Sequence, residues 1–147
     1  MQKQGVRTPI QQFGIGSIGL GLTGAVSRPF MLRLDHLYKE KAKKAGMTLR
    51  MYERYVDDSN QVVIVPPSGA KYDENSRKVI VDENLIDVIE SDDERAARVM
   101  TDIANSVMPG IVMEYDVQSR NTDRKMPILY MEVWIDEDEG NIMFQHY

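Results

Sequence analysis

The 147-residue chain contains no cysteine, one tryptophan and two histidines. The first absence excludes a disulfide framework, a thiolate metal centre and a cysteine nucleophile, and two imidazoles are too few for an ordinary zinc site. No apolar run approaches the roughly 18 residues needed to cross a bilayer, and Met1 to Gln12 lacks the apolar segment of a secretory leader. We therefore expect an intracellular chain, cytoplasmic or nuclear, with no membrane partner and with stability drawn from packing. One domain covering 1–147 is expected at this length.

Charge is unevenly spread. Residues 1–55 hold 10 Lys/Arg against 3 Asp/Glu, whereas residues 56–147 hold 8 against 20, for a net charge of −5. A basic face can meet nucleic-acid phosphates, but a chain that is acidic overall is a poor stand-alone binder of them.

Residues 1–13 are a polar lead-in. Gly14-Ile15-Gly16-Ser17-Ile18-Gly19 spells GxGxxG, yet Val6 to Phe13 is polar and broken by Pro9 rather than the buried strand a dinucleotide fold requires. The glycines are read as a connector, or as a loop whose backbone can approach a base or sugar closely. From Thr23 to Ala45, apolar Val26, Phe30, Leu34 and Leu37 recur at spacings of three and four, with Thr23 as N-cap and Gly46 as stop. Pro29 calls for either a start nearer Arg28 or a kink. Lys39, Lys41, Lys43 and Lys44 in the last turns are read as a solvated face complementing the helix dipole.

The centre of the chain is a strand from Met47 to Val56, the turn residues Asp57-Asp58-Ser59-Asn60, and a strand from Gln61 to Val65. Two adjacent acids at a hairpin tip offer hard oxygen ligands, and a hydrated divalent cation takes one or two carboxylates plus substrate phosphates. That suits phosphoryl transfer, although the same four residues also make an ordinary solvated turn.

Pro66 to Arg77 reads as a loop and Lys78 to Val81 as a short strand, followed by an acidic piece, Asp82 to Glu90, with no assigned element. Ser91-Asp92-Asp93-Glu94 is a capping box before a helix whose apolar face is Ala97, Met100, Ile103, Ala104 and Val107, ending at Pro109-Gly110. Ile111 to Val117 and Ile128 to Ile135 read as strands. Asp136-Glu137-Asp138-Glu139-Gly140, without the alternating ligands of a calcium loop, turns the chain into a closing strand, Asn141 to Tyr147. The expected fold is α+β: an antiparallel sheet of 47–56, 61–65 and 111–117, helices packed on one face, and a peripheral hairpin over 128–147. Tyr52, Tyr55, Tyr115 and Trp134 carry no aromatic RNA-binding signature and are read as core.

The order of these segments resembles the palm of a reverse transcriptase. Arg54-Tyr55-Val56-Asp57-Asp58 matches that family's Tyr-x-Asp-Asp motif in the form frequent in Penelope-like and related retroelement polymerases. Ile18 to Gly24 followed by a helix is similar to the template-contacting block, with Gly19 and Leu22 kept, Thr23 in place of Ser, and Arg28 where Asn is frequent. Lys125-Met126-Pro127-Ile128-Leu129 resembles the run Gly-Lys-Leu-Pro-Phe-Leu-Asp, with Arg124 for the Gly and Tyr130 for the Asp.

The resemblance implies a palm core over 14–117, with 118–147 as link and terminal hairpin, and RNA-directed DNA synthesis with two Mg2+ ions, or Mn2+ in their place. Asp57 and Asp58 would be the catalytic metal ligands. Tyr55 would lie near the primer end, Gly19, Leu22 and Thr23 near template or nucleotide, and Lys125 near the incoming triphosphate. The implied partners are an RNA template, a DNA primer and dNTP. The family's first catalytic Asp belongs to a strand upstream of the glycine loop, and residues 1–13 contain no Asp or Glu. The expectation is therefore a partial palm without that block, fingers or thumb, inactive alone. The sheet edge left open where that strand belongs would favour self-association. The other readings are a non-catalytic α+β interaction module and the relic of a polymerase gene.

Overall fold

The computed structural model describes residues 21–86, 89–136 and 138–146, with side chains from residue 24 onward. The glycine-rich loop, Gly19 included, lies outside the described residues. The class is α+β, with two helices and seven short strands among the described residues, every strand pair antiparallel.

Helix α1 spans Gly21–Lys44 with Pro29 inside it, so the proline neither delays its start nor ends it. Pro29 has no N–H for the Ala25 carbonyl. Thr23, expected as N-cap, falls within the helix instead. The C-terminus stops as the sequence indicates: Gly46 takes φ +84°, its N–H reaches the Lys43 carbonyl at 3.1 Å, and the Met47 N–H reaches the Ala42 carbonyl at 3.0 Å. This paired closure is the Schellman arrangement, which only a residue tolerant of left-handed φ completes cheaply. The buried face of α1 is Leu34, Tyr38 and Ala42, continued by Ala45 just past its end, whereas Val26 and Phe30, expected on it, are 60% and 41% exposed. The apolar stripe is real; the described neighbours cover only its second half.

Strands β1 (Leu49–Tyr55) and β2 (Asp58–Val63) form a hairpin. Its register runs Tyr55↔Asp58, Arg54↔Ser59, Glu53↔Asn60, Tyr52↔Gln61 and Met51↔Val62, and then slips so that Leu49 faces Val63. Arg50 is the extra residue of a β-bulge. Without it, Leu49 would share a face with Met51. With it, Leu49, Tyr52 and Val63 all pack toward the core while Met51 and Val62 stay 44% and 49% exposed.

The expected third strand of this sheet, 111–117, is not a strand. That segment is held by a side chain rather than a ladder: Asn105 accepts from the Met113 N–H at 2.6 Å and donates to the Met113 carbonyl at 3.0 Å. A strand appears instead within the supposed loop 66–77. β3 (Ala70–Asp73) pairs with β4 (Lys78–Val81) to make a second two-stranded sheet. The expected single strand 128–135 is likewise two, β5 (Met126–Ile128) and β6 (Met131–Ile135), turning at Leu129 with φ +57°. With β7 (Ile142–His146) they form a three-stranded meander. The expected sheet of 47–56, 61–65 and 111–117 is thus reduced to the β1–β2 hairpin, and the described strands form three small antiparallel sheets.

Helix α2 spans Asp92–Asn105 behind Ser91, whose side chain makes no cap bond, so the sequence-level capping box does not close. Val99, Met100 and Ile103 are fully buried and Ala104 nearly so, as the 3.6-residue period requires. They meet Tyr38, Ala42, Ala45, Met47 and Ala70 in the principal core. Two arginines of α2 tie the helix to the segments beside it. Arg98 grips both Glu90 oxygens, at 2.7 and 3.0 Å, and donates to the Ala70 carbonyl at 2.9 Å. Buried Arg95 donates to the Pro66 carbonyl at 2.9 Å and pairs with Asp92.

Candidate functional site

The hairpin turn is shorter than the sequence implies. Asp58, Ser59 and Asn60 belong to β2, which leaves Val56 and Asp57 as the two turn residues. Val56 takes φ +57°, a conformation in which a β-branched residue is strained by roughly 1–2 kcal/mol. Asp57 therefore sits at the apex and Asp58 opens β2 as the direct cross-strand partner of Tyr55. Both carboxylates are exposed, as is Tyr55 at 54%.

Alternation divides the hairpin into two faces. Tyr52, Arg54, Ser59 and Gln61 occupy the face turned to α1, and Met51, Glu53, Tyr55, Asp58, Asn60 and Val62 occupy the other. Asp58 thus lies on the side away from the helix, diagonal to Glu53.

A charged network anchors the tip-proximal end of the hairpin to α1. Arg54 donates from Nε to Asp35 Oδ1 at 2.6 Å, from one terminal nitrogen to the Tyr52 hydroxyl at 2.6 Å, and from the other to the Asp57 carbonyl at 3.4 Å. Tyr52 also donates to Asp35 Oδ1, at 2.7 Å. Burial, reinforced by its bond to Asp35, pushes the Tyr52 hydroxyl up to about 12. The Tyr38 ring lies 5.5 Å from that of Tyr52, and its hydroxyl donates to Gln61 at 2.6 Å. Burial raises the Tyr38 pKa further still. Both phenols therefore remain neutral donors, and the turn is held from behind by one guanidinium fork.

Asp35 and Arg54 were not among the sequence-derived site residues. The Arg of Arg-Tyr-Val-Asp-Asp was present as a letter of the motif, but nothing in the sequence pairs it with an acid 19 positions earlier.

The remaining expected residues fall elsewhere. Leu22 and Thr23 lie in the first turn of α1. Lys125 reaches Glu132 at 3.4 Å and lies 4.7 Å over the Trp134 ring, beside a shallow cavity of about 450 Å3 that includes Asp123 and Glu132. Its charge is engaged within its own meander. Trp134 and Tyr115 are half-buried at the edges of the fold rather than in the principal core, and Tyr115 stacks under the Arg120 guanidinium at 4.6 Å.

For a divalent cation, Asp57 and Asp58 supply the right atoms, and such an ion can be held by one or two carboxylates completed by water or phosphate oxygens. A fuller cage is not formed: among the described residues no group of three His, Cys, Asp or Glu side chains comes together. No described helix is long and apolar enough to cross a membrane. Comparison with protein-family models, curated proteins and solved structures finds no match to this chain.

Proposed function

We propose that the chain contributes the metal-binding hairpin of a reverse transcriptase palm, in a retroelement RNA-directed DNA polymerase. The observation that carries this reading is the placement of Arg-Tyr-Val-Asp-Asp in a tight two-residue hairpin, Asp57 at its apex and Asp58 on the face away from the helix. In two-metal nucleotidyl transfer, paired divalent ions stabilise the attacking and leaving oxygens.

The residues of this chain have separable parts in that scheme. Asp57 and Asp58 hold cation with exposed carboxylates, Tyr55 shares the Asp58 face where a primer end would lie, and Arg54 fixes the turn against α1. Template, primer and dNTP are the partners this implies. Among the described residues no third carboxylate joins the two, so the chain unaided is expected to lack primer extension. Template-dependent incorporation that Asp57→Ala abolishes would overturn that expectation.

The second reading, a non-catalytic α+β interaction module or polymerase relic, is favoured by the missing third ligand among the described residues. Divalent-ion binding at the hairpin separates the two. A Mn2+-dependent signal localised to Tyr55–Asn60 and removed by Asp57→Ala supports the palm reading, and its absence supports the module.

A further inference from the structure

Of the three described sheets, the terminal meander alone contributes nothing to the principal core, and no residue of β5, β6 or β7 is fully buried. Its register sorts the strands into two unlike faces, because directly paired residues point the same way. On one face Lys125 meets Glu132 and lies over Trp134, and Gln145 donates to Glu132. On the other, Val133 pairs with Met126 and Phe144, Ile135 with Ile142, and Met131 with Ile128 and His146. Within the strands, His146 is the only polar side chain of this second face.

A sheet with one apolar face buries that face against another layer, and a three-stranded sheet draws its stability from doing so. Here Ile142 is 71% exposed, Phe144 65% and Ile135 52%, so nothing among the described residues supplies the layer.

We propose that a second copy of the chain supplies it, packing the same face on itself across a two-fold axis. The inference stands apart from the carboxylate pair at the hairpin. The uncovered side chains offer roughly 500 Å2 per chain, so a face-to-face pair removes about 1,000 Å2 from water, the lower bound for a specific interface. A two-fold pairing asks the face only to complement itself, and this face carries no Lys, Arg, Asp or Glu with which to select an unlike, charged partner. An anionic lipid surface is repelled by the adjoining turn, Asp136-Glu137-Asp138-Glu139. That turn also fixes the orientation. Stacked sheets lie about 10 Å apart, so strands running parallel in the two copies would set the two acidic turns side by side. Antiparallel strands place each turn over the His146 end of the other copy, and the two Phe144 rings meet at the axis.

The test is sedimentation equilibrium of the full chain from about 1 to 300 μM, a range that spans the micromolar dissociation constant expected of an interface at the lower size bound. The mass should rise from 16.8 kDa and level at twice that value. Phe144→Asp should weaken association about 100-fold or more. Met143→Asp, one position along on the polar face, and Val62→Asp, on the exposed face of β2, should leave it unchanged. A nitroxide on Asp138→Cys, the chain's only cysteine, should report about 30 Å between antiparallel copies, against about 10–15 Å for parallel ones. The proposal is overturned by a chain that stays monomeric throughout, by a mass that climbs past two copies, by equal losses from Phe144→Asp and Val62→Asp, or by the short distance. A monomer that instead binds neutral phosphatidylcholine vesicles through Phe144 assigns the face to lipid and equally overturns it. Far-UV circular dichroism of each variant confirms that the fold is retained.

Discussion

Arg54→Gln is the substitution on which the hairpin account makes its sharpest demand. The Arg54–Asp35 pair is 9% and 13% exposed, and the same guanidinium also serves the Tyr52 hydroxyl and the Asp57 carbonyl. Removing one member of a buried pair leaves the other charge desolvated and unpaired, at a cost of about 3–5 kcal/mol. This pair lies at the margin of the α1/β1 contact, so the lower end applies, about 3 kcal/mol. In a domain of this length that lowers the melting temperature by about 10 °C. Asp35→Asn should cost a similar amount by stranding Arg54. The double variant Asp35→Asn/Arg54→Gln should cost less than the two singles summed, by about 1–3 kcal/mol, because neither leaves a buried charge. Arg54→Lys should recover only part of the loss, since one ammonium cannot reproduce a planar fork with three separated partners. Thermal melts followed by circular dichroism, with urea titrations for free energies, decide the matter. An Arg54→Gln protein melting within about 2 °C of the parent, or strictly additive singles, would refute the reasoning.

Three further substitutions, Val56→Asn, Gly69→Ala and Glu90→Gln, probe the turns and the α2 ion pair. Val56→Asn should stabilise the chain by about 0.5–1 kcal/mol, because Asn tolerates the φ of +57° that strains valine, and Val56 is 72% exposed and loses little burial; a lower urea midpoint would contradict this. Gly69→Ala should cost about 2 kcal/mol or more, because φ is +75° and a Cβ would stand 2.8 Å from the Asp82 carbonyl oxygen; a melting temperature equal to the parent's would contradict it. The Arg98 fork holds the Glu90 carboxyl below its ordinary range, so its stabilisation is present above the unfolded-state value and is lost as pH falls through the lower folded-state value. Glu90→Gln should therefore cost about 1–3 kcal/mol at pH 7 and lose less stability than the parent on acidification below about pH 4.3. Urea midpoints between pH 3 and 7 that run parallel for the two proteins would exclude it.

The α+β class and the helices were legible because their signals are local. Met100, Ile103 and Ala104 repeat at helical spacing and are buried as that spacing requires, and Gly46 stops α1 through a closure that its missing Cβ permits. The sheets were less legible because each error depends on a partner that the sequence does not name. Ile111 to Val117 has strand composition, but Asn105 satisfies its backbone, so no ladder forms. Ala70 to Asp73 is polar and lies behind Pro66-Pro67, yet β4 supplies it with a partner. Leu129 turns β5 into β6 with positive φ and no glycine or asparagine to announce it. At the candidate site, the two carboxylates were visible as a motif. The Asp35–Arg54–Tyr52 network that holds them was not, because an ion pair between a helix and a strand has no fixed spacing in sequence.

The proposed function rests on Asp57 and Asp58 acting as a divalent-cation site at the hairpin tip. A Mn2+ titration of the isotope-labelled chain by NMR tests it most directly, because the paramagnetic ion broadens only nearby amides. Selective loss of the Tyr55 to Asn60 signals, abolished by Asp57→Ala, is the expected result. Broadening confined to the Asp136 to Glu139 turn, or none at the hairpin, would contradict it.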